Sequence, residues 1–198
     1  VAELAQTIGR RDLAVNLADA AAADGHRGFV ELGFPTLNAP FGTDWTAVHA
    51  ISRQESQFAQ NALSHAGARG LIQLMPGTAR EQAGMNGVVY MQASLIDDPD
   101  YNVRLGSAYF ARLMARYGSW PLAVAGYNAG PGNVNKWLAA NGDPRTGSIA
   151  WIDWIERIPL TETRNYVTRV IENAVVYEAL HPDKAPMGRP RSVNEFLR

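Results

Sequence analysis

A single glutamate beside a glycine-rich turn is the first feature of this sequence that could do chemistry. Glu55 lies in the stretch RQES, and the residues that follow it are rich in glycine and small polar side chains. A carboxyl group in that position could be a proton donor held over a cleft. It could equally be a solvated residue at the end of a helix, because most glutamates in proteins are exposed.

Further polar residues lie in turns around predicted helices, where a scaffold commonly holds functional groups. They are Ser56, Ser64, Gln73, Tyr127, Asn128 and Glu162. Each also has a structural explanation, since small polar side chains satisfy turn backbone and a glutamate in the first turn of a helix interacts favourably with the helix dipole. The residue types alone therefore predict a helical protein with one candidate carboxylate site, and they leave its use open.

Helical spacing predicts where Glu55 is placed. After Thr43, a good N-cap residue, apolar residues recur at intervals of three and four, which predicts a helix with Glu55 at or near its C-terminal end. The start of the next helix is signalled by Pro76 and by the pattern Thr78-x-x-Glu81. The segment between the two helices is expected to be a turn region next to the acid.

The pattern over the rest of the chain is typical of a mainly α fold. A helix pair is predicted over residues 1–23, a central buried helix over 101–117 and a long final helix over 161–180. Long alternating apolar patterns are absent, which leaves room only for a small β region between Phe58 and Gln73. We place a domain boundary near Asn38, after a segment rich in glycine and proline.

Composition argues against several classes of function. The formal net charge is -1, so the chain lacks the basic field of a nucleic-acid-binding protein, and it contains no cysteine. No apolar run approaches the roughly 18 residues of a membrane span. The four histidines have no metal-ligand spacing, and the sequence DDPD at 97–100 fits a helix-capping turn better than a cation loop. We therefore expect no metal, no cofactor and no nucleic-acid partner.

Four sequence blocks carry a family resemblance. They are RQES at 53–56, GARGLIQLMPGTA at 67–79, GYNAGPGNV at 126–134 and IPLTETRNYV at 158–167. In this order they resemble the catalytic domain of soluble lytic murein transglycosylases, which are goose-type-lysozyme-like enzymes of glycoside hydrolase family 23. The resemblance implies a lysozyme-like α-helical catalytic domain with a small β region over residues 39–198. Residues 1–38 then resemble the end of the α-superhelical region that precedes this domain in long members.

The resemblance also implies roles for single residues. Glu55 matches the catalytic acid, and Ser64 matches a serine that supports the acid or the substrate's N-acetyl group. The other positions that match substrate-binding residues are Gly70, Leu71, Gln73, Met75, Tyr127, Asn128 and Glu162. Three positions depart from the family pattern: Ile72 replaces Met, Gly126 replaces Ala and Leu160 replaces Phe. The first and third change cleft shape only, whereas Gly126 is expected to loosen its helix.

The implied reaction explains why one carboxylate could suffice. Most glycosidases use two carboxyl groups, but a lytic transglycosylase cleaves the MurNAc-β-1,4-GlcNAc bond by closing the MurNAc 6-hydroxyl onto its own anomeric carbon. The nucleophile is part of the substrate, and its effective concentration can reach about 10⁵ to 10⁸ M in well-oriented cases. Glu55 would act first as acid and then as base. The acid step requires its pKa to be raised from roughly 4.3 by an apolar setting.

Two alternatives stay open. A hydrolytic lysozyme-like muramidase would share the acid and add a second carboxylate or a water-positioning group, for which Asp44, Asp97, Asp98 and Glu162 are candidates. A non-catalytic glycan-binding module would keep the cleft and lack the chemistry. For all three, the partner is peptidoglycan glycan strands with their stem peptides, and the expected location is the periplasm or cell envelope. The chain starts at Val1 without a leader, so we expect the targeting segment to be missing.

Overall fold

The fold is described by a computed structural model that covers residues 1–26 and 28–198. Twelve α-helices and two 3₁₀ helices account for most of these residues. The described residues contain no extended strand, and the β-structure consists of two isolated bridges, from Leu63 to Arg69 and from Arg69 to Leu74. The predicted mainly α fold is confirmed, and the predicted small β region is reduced to these two bridges.

The first compact unit covers residues 1–108. Its helices are α1 (Ala2–Thr7), α2 (Arg11–Ala23), α3 (Val30–Gly33), α4 (Trp45–Ser56), α5 (Pro76–Met85), α6 (Ser94–Asp97) and the first part of α7 (Pro99–Tyr117). The predicted helix pair is confirmed as α1 and α2, which pack against each other, and α2 also packs against α3. The start of α5 is set by Pro76 at its first position, where the missing N–H costs nothing.

Helix α4 carries Glu55, and its start differs by one residue from the prediction. The N-cap is Asp44, whose Oδ1 accepts a hydrogen bond from the Ala47 N–H at 3.0 Å, while the Thr43 hydroxyl donates to the carbonyl of Pro40 instead. Both residue types cap helices well, so the choice depends on where the preceding loop enters. Residues 46–52 are all buried, so this part of the helix is enclosed by the core on every side.

Two side chains of α4 hold the segment that precedes it. Arg53 forms a 2.6 Å ion pair with Asp19 of α2. Fully buried His49 accepts a hydrogen bond at Nε2 from the Leu37 N–H, at 3.1 Å. The segment 1–38 therefore contacts the helix that bears Glu55 directly, and the domain boundary near Asn38 stays a prediction.

The second compact unit covers residues 109–198. Besides the end of α7, it contains α8 (Trp120–Ala129), α9 (Pro131–Asn141), α10 (Trp151–Glu156), α11 (Thr161–Leu180) and α12 (Val193–Phe196). Helix α8 packs against both α9 and α11, and its first eight residues are buried. The predicted bounds of α11 are confirmed, as is its buried face of Tyr166, Val170, Ala174 and Tyr177.

The acidic turn before α7 behaves as a cap. The Asp98 carboxylate accepts a hydrogen bond from the Tyr101 N–H at 3.0 Å, which satisfies a backbone donor in the first turn of the helix. Within residues 1–26 and 28–198, no group of three or more acidic or histidine side chains is arranged to hold a metal ion. In the same residues, no helix combines the length and the apolar character that a membrane span needs.

Candidate functional site

Glu55 is the next-to-last residue of α4 and is half-buried. The helix ends at Ser56 because the two residues that follow, Gln57 and Phe58, both take left-handed backbone conformations, with φ of 50° and 65°. Such values are rare for a non-glycine residue and are a strained conformation for a bulky one. Phe58 is buried, and its packing holds the turn in place. The two left-handed residues therefore lie immediately after the end of the helix that carries the candidate acid.

The residue after Glu55 joins α4 to the loop formed by residues 69–73. The Ser56 hydroxyl lies 2.7 Å from the Leu71 carbonyl oxygen and 3.1 Å from that of Ser52. The first contact crosses from the helix to the loop, and the second stays within the helix. Because Ser56 is adjacent to Glu55, the position of loop 69–73 is tied to the last turn of the helix that carries the acid.

Ser64 and Gln73 stabilise the turns in which they lie. The Ser64 Oγ accepts a hydrogen bond from the Ala68 N–H at 2.9 Å. The Gln73 Nε2 donates to the carbonyl oxygens of Ala62 at 3.1 Å and Gly70 at 2.8 Å. Both donors of the Gln73 amide are thus used within the loop region. The amide oxygen of Gln73 is the group left to accept a hydrogen bond from a ligand.

Gly70 is required by close packing. A Cβ on Gly70 would come within 2.2 Å of the Leu95 carbonyl oxygen and 2.6 Å of the Asn102 side chain, and its φ is +77°. Gly70 and its neighbour Leu71 are both buried, so they shape the loop through their backbone. Met75, by contrast, is 43% exposed and presents its side chain to solvent at the start of α5.

Asn102 was not identified from the sequence. It lies in the first turns of α7, is fully buried, and bonds loop 69–73 with both ends of its amide. Its Oδ1 accepts from the Ile72 N–H at 3.0 Å, and its Nδ2 donates to the Arg69 carbonyl at 2.9 Å. Asp100 and Arg104 lie on either side of it in the sequence, so an asparagine at this position gives no local signal of its role.

In the second unit, Tyr127 lies near the end of α8 and is buried against other aromatic rings. Its ring centroid is 5.3 Å from that of Tyr109 and 6.4 Å from that of Phe110. The preceding Gly126 accepts a hydrogen bond at its carbonyl from the Tyr109 hydroxyl, at 3.3 Å. A Cβ on Gly126 would lie 3.2 Å from Leu113 Cδ2, so the glycine allows α7 and α8 to approach closely.

Asn128 and Glu162 lie close together. The Asn128 Nδ2 is 3.4 Å from the Glu162 carboxylate, and its Oδ1 accepts a short 2.6 Å hydrogen bond from the Thr163 hydroxyl. Glu162 is exposed in the first turn of α11, whereas Thr163 is buried. Sequence reasoning missed Thr163, because its importance comes from a contact with a residue 35 positions earlier.

The structure thus forms two clusters from the predicted site residues, one in each unit. The first contains Glu55, Ser64, Gly70, Leu71, Gln73 and Met75 on α4 and the segment that leads to α5. The second contains Tyr127, Asn128 and Glu162 at the end of α8 and the start of α11. The first cluster can supply a half-buried acid beside a rigid loop, and the second supplies an exposed carboxylate beside an ordered amide.

Comparison with known proteins identifies the class of enzyme domain that these features belong to. A family model described as the transglycosylase SLT domain matches residues 37–149. The chain belongs to this family.

Named relatives and solved structures agree with that assignment. The soluble lytic murein transglycosylase of Escherichia coli K12 is 36% identical over 137 residues, which are 68% of this chain and 21% of the relative. The crystal structure of the 70 kDa soluble lytic transglycosylase from Escherichia coli matches 100% of this chain and 32% of its own, with a TM-score of 0.83 and 30% identity. Lytic transglycosylase Slt from Pseudomonas aeruginosa, solved as an inactive glutamate-to-glutamine mutant, covers 97% of this chain and 30% of its own, with a TM-score of 0.78 and 33% identity. The chain therefore spans about a fifth to a third of the length of these relatives.

Proposed function

We propose that this chain cleaves the MurNAc-β-1,4-GlcNAc bond of peptidoglycan as a lytic transglycosylase and forms a 1,6-anhydroMurNAc end. The observation that carries the proposal is the placement of Glu55, half-buried in the last turn of α4 and beside a loop that Ser56 ties to that turn. Family membership supports the reaction class. The inactive glutamate-to-glutamine mutant of the Pseudomonas aeruginosa relative supports a carboxyl group as the essential residue.

In the proposed reaction Glu55 acts twice. It first donates its proton to the glycosidic oxygen as the bond to the MurNAc anomeric carbon breaks, which gives the leaving GlcNAc its 4-hydroxyl. The carboxylate then accepts the proton of the MurNAc 6-hydroxyl, whose oxygen bonds to the anomeric carbon. Glu55 is protonated again at the end of the reaction, so one residue serves as both acid and base. The nucleophile belongs to the substrate, and no water enters the product. The substrate's N-acetyl group assists as an internal nucleophile, a route used by some glycosidases.

The contacts of three of the four candidate second carboxylates, Asp44, Asp98 and Glu162, disfavour a role for them in hydrolysis. Asp44 caps α4 and Asp98 caps α7, so both side chains accept hydrogen bonds from backbone N–H groups. Glu162 lies beside the amide of Asn128, which suits a role in substrate binding. We assign Ser64, Gln73 and Met75 to glycan binding next to the acid, and Tyr127, Asn128 and Glu162 to contacts with glycan or stem peptide. Because peptidoglycan lies outside the cytoplasm, we propose that the protein acts in the periplasm or cell envelope.

The deciding experiment is mass spectrometry of the soluble products that the purified chain releases from sacculi. We expect anhydro-muropeptides, which are about 18 Da lighter than hydrolysed muropeptides because no water is added. Glu55→Gln should fold normally and release none, with Glu81→Gln, an exposed glutamate of α5, as the matched control that stays active. Reducing-end products would establish a muramidase instead. Binding to sacculi without any release would establish a glycan-binding module.

A further inference from the structure

We infer that Asn102 is a positioning residue for the Glu55 site, because it fixes loop 69–73 against the helix that carries the acid. The inference rests on the proposed function of Glu55. Asn102 lies 47 positions after Glu55 in the chain and belongs to none of the sequence blocks at 53–56, 67–79, 126–134 and 158–167 that carry the family resemblance. Its role follows from contacts made in the folded chain.

The bracing geometry uses both ends of one buried amide. The carbonyl end of Asn102 accepts from the Ile72 N–H, and the NH₂ end donates to the Arg69 carbonyl, so one side chain spans the loop. Gly70, which lies between these two contacts, leaves room for the amide because it has no Cβ. The side chain is fully buried, so water does not compete for either hydrogen bond.

The loop transmits this constraint to the candidate acid. Between the two backbone groups that Asn102 holds, the Leu71 carbonyl accepts the 2.7 Å hydrogen bond from the Ser56 hydroxyl. Ser56 directly follows Glu55. At the far end of the loop, Gln73 keeps a left-handed backbone with φ of 47°, a conformation that persists only where surrounding contacts enforce it. Asn102 therefore sets the positions of both the last turn of α4 and the Gln73 side chain.

An asparagine is needed because the site requires a donor and an acceptor on one short side chain. Leucine has a similar shape and supplies neither group. An ionised aspartate keeps the acceptor for Ile72 but places a negative charge against the Arg69 carbonyl. A protonated aspartic acid restores both, since its hydroxyl donates and its carbonyl oxygen accepts. This difference makes the positioning role testable by pH.

The test compares Asn102→Leu and Asn102→Asp with the wild-type chain at a series of pH values from about 7 to about 5. At pH 7 we expect kcat/KM for anhydro-muropeptide release to fall about 10- to 100-fold in both variants, as displacement of a positioned group of about 1 Å commonly does. Burial raises the pKa of a carboxyl group at this position, so as the pH falls the ratio of the Asn102→Asp activity to the wild-type activity should rise towards one. The ratio for Asn102→Leu should stay low throughout.

A substitution at the neighbouring residue distinguishes a loss of positioning from a loss of stability alone. Val103→Ala truncates a buried side chain on the same helix without removing a side-chain hydrogen bond, so it should lower the melting temperature and leave kcat/KM within about twofold. Folded Asn102 variants with wild-type kcat/KM, or a loss of activity that tracks melting temperature in all three variants, would overturn the inference.

A readout that is independent of activity separates this inference from the proposed function. Amide hydrogen exchange at Ile72 should be faster in Asn102→Leu than in the wild type. In Asn102→Asp, the increase over the wild-type rate should be larger at pH 7 than at pH 5. If the wild-type chain releases no anhydro product, the proposed function is wrong, but these exchange rates still test whether Asn102 holds loop 69–73 in place. Unchanged exchange at Ile72 in both variants would show that Asn102 does not hold loop 69–73 in place.

Discussion

The Ser56 hydroxyl donates a 2.7 Å hydrogen bond to the carbonyl oxygen of Leu71. This contact joins two segments that are 15 residues apart, and it starts from the residue next to the candidate acid. A helix end beside strained turn residues is a region where local opening is easy. The hydrogen bond links this end of α4 to the loop that the Asn102 side chain also contacts.

Removal of the hydrogen bond between Ser56 and Leu71 should lower kcat/KM clearly and the free energy of unfolding only slightly. We expect Ser56→Ala to lower the free energy of unfolding by about 1 kcal/mol, the usual value for one hydrogen bond. Its kcat/KM should fall by about tenfold because the last turn of α4 loses its link to the loop. The control is Thr168→Ala, which removes a hydroxyl that bonds the Arg164 carbonyl one turn earlier in α11. Similar kcat/KM values in the two variants would contradict this role for Ser56.

Two glycines in the same region should differ sharply when replaced by alanine. Gly67 and Gly70 both have positive φ, at +89° and +77°, so both alanine variants suffer a backbone cost of about 1 to 2 kcal/mol. A Cβ at Gly67 meets nothing within 4 Å, whereas one at Gly70 collides with backbone and with Asn102. Gly70→Ala should therefore lose about 1 to 3 kcal/mol more than Gly67→Ala in urea unfolding. Equal losses would show that the loop is not packed as described.

Glu162 should affect substrate binding and leave the fold unchanged. Because its side chain is exposed, we expect Glu162→Gln to alter the free energy of unfolding by less than about 0.5 kcal/mol. If its carboxylate contacts the substrate, KM should rise several-fold with kcat little changed, because the lost interaction is equally strong in the bound substrate and in the transition state. Glu172→Gln is the matched control, as Glu172 is exposed on the same helix and forms a surface ion pair with Arg169. Steady-state kinetics on soluble glycan fragments decide the point, and equal KM values in both variants would exclude the contact.

Acid should destabilise the C-terminal segment through Glu195. Hydrogen bonds from the Arg189 guanidinium, and then from Ser192, lower the pKa of Glu195 from 4.5 to about 2. The unfolded chain therefore binds this proton at a higher pH than the folded chain. The stabilisation is complete above about pH 4.5 and is lost as the pH falls through about 2. The pKa values of Asp12, beside Arg10, and Asp143, beside Arg145, are lowered in the same direction by hydrogen bonds.

Melting temperatures measured between pH 7 and pH 2 check this. Glu195→Gln should melt below the wild type at pH 7, and the difference should shrink between pH 4.5 and pH 2 as the wild-type carboxylate takes up its proton. A difference that stays constant over this range would mean that the charge of Glu195 contributes nothing. Salt should reduce the effect at pH 7, since the Arg189 side chain of this ion pair is exposed.

Much of the fold could be predicted because the main helices have strong local signals. The bounds of α11 match the prediction, and α4 differs only in its N-cap. Helices α3, α6, α10 and α12 were missed, since each has only four to six residues and too few turns to show a periodic pattern. The small β region was predicted because long alternating apolar patterns are absent, and in the described residues it consists of isolated bridges.

The resemblance of four sequence blocks to a known family implied that Glu55 is an acid, and the sequence by itself determined its place at the end of α4. That information is local: it lies in residue types and in spacing near 3.6 residues per turn. The tertiary structure alone decided that Asn102 braces Arg69 and Ile72, and that Thr163 orients Asn128. These hydrogen bonds join residues 30 to 35 positions apart, which helical periodicity does not relate. They form only when the packing of whole helices brings their side chains together.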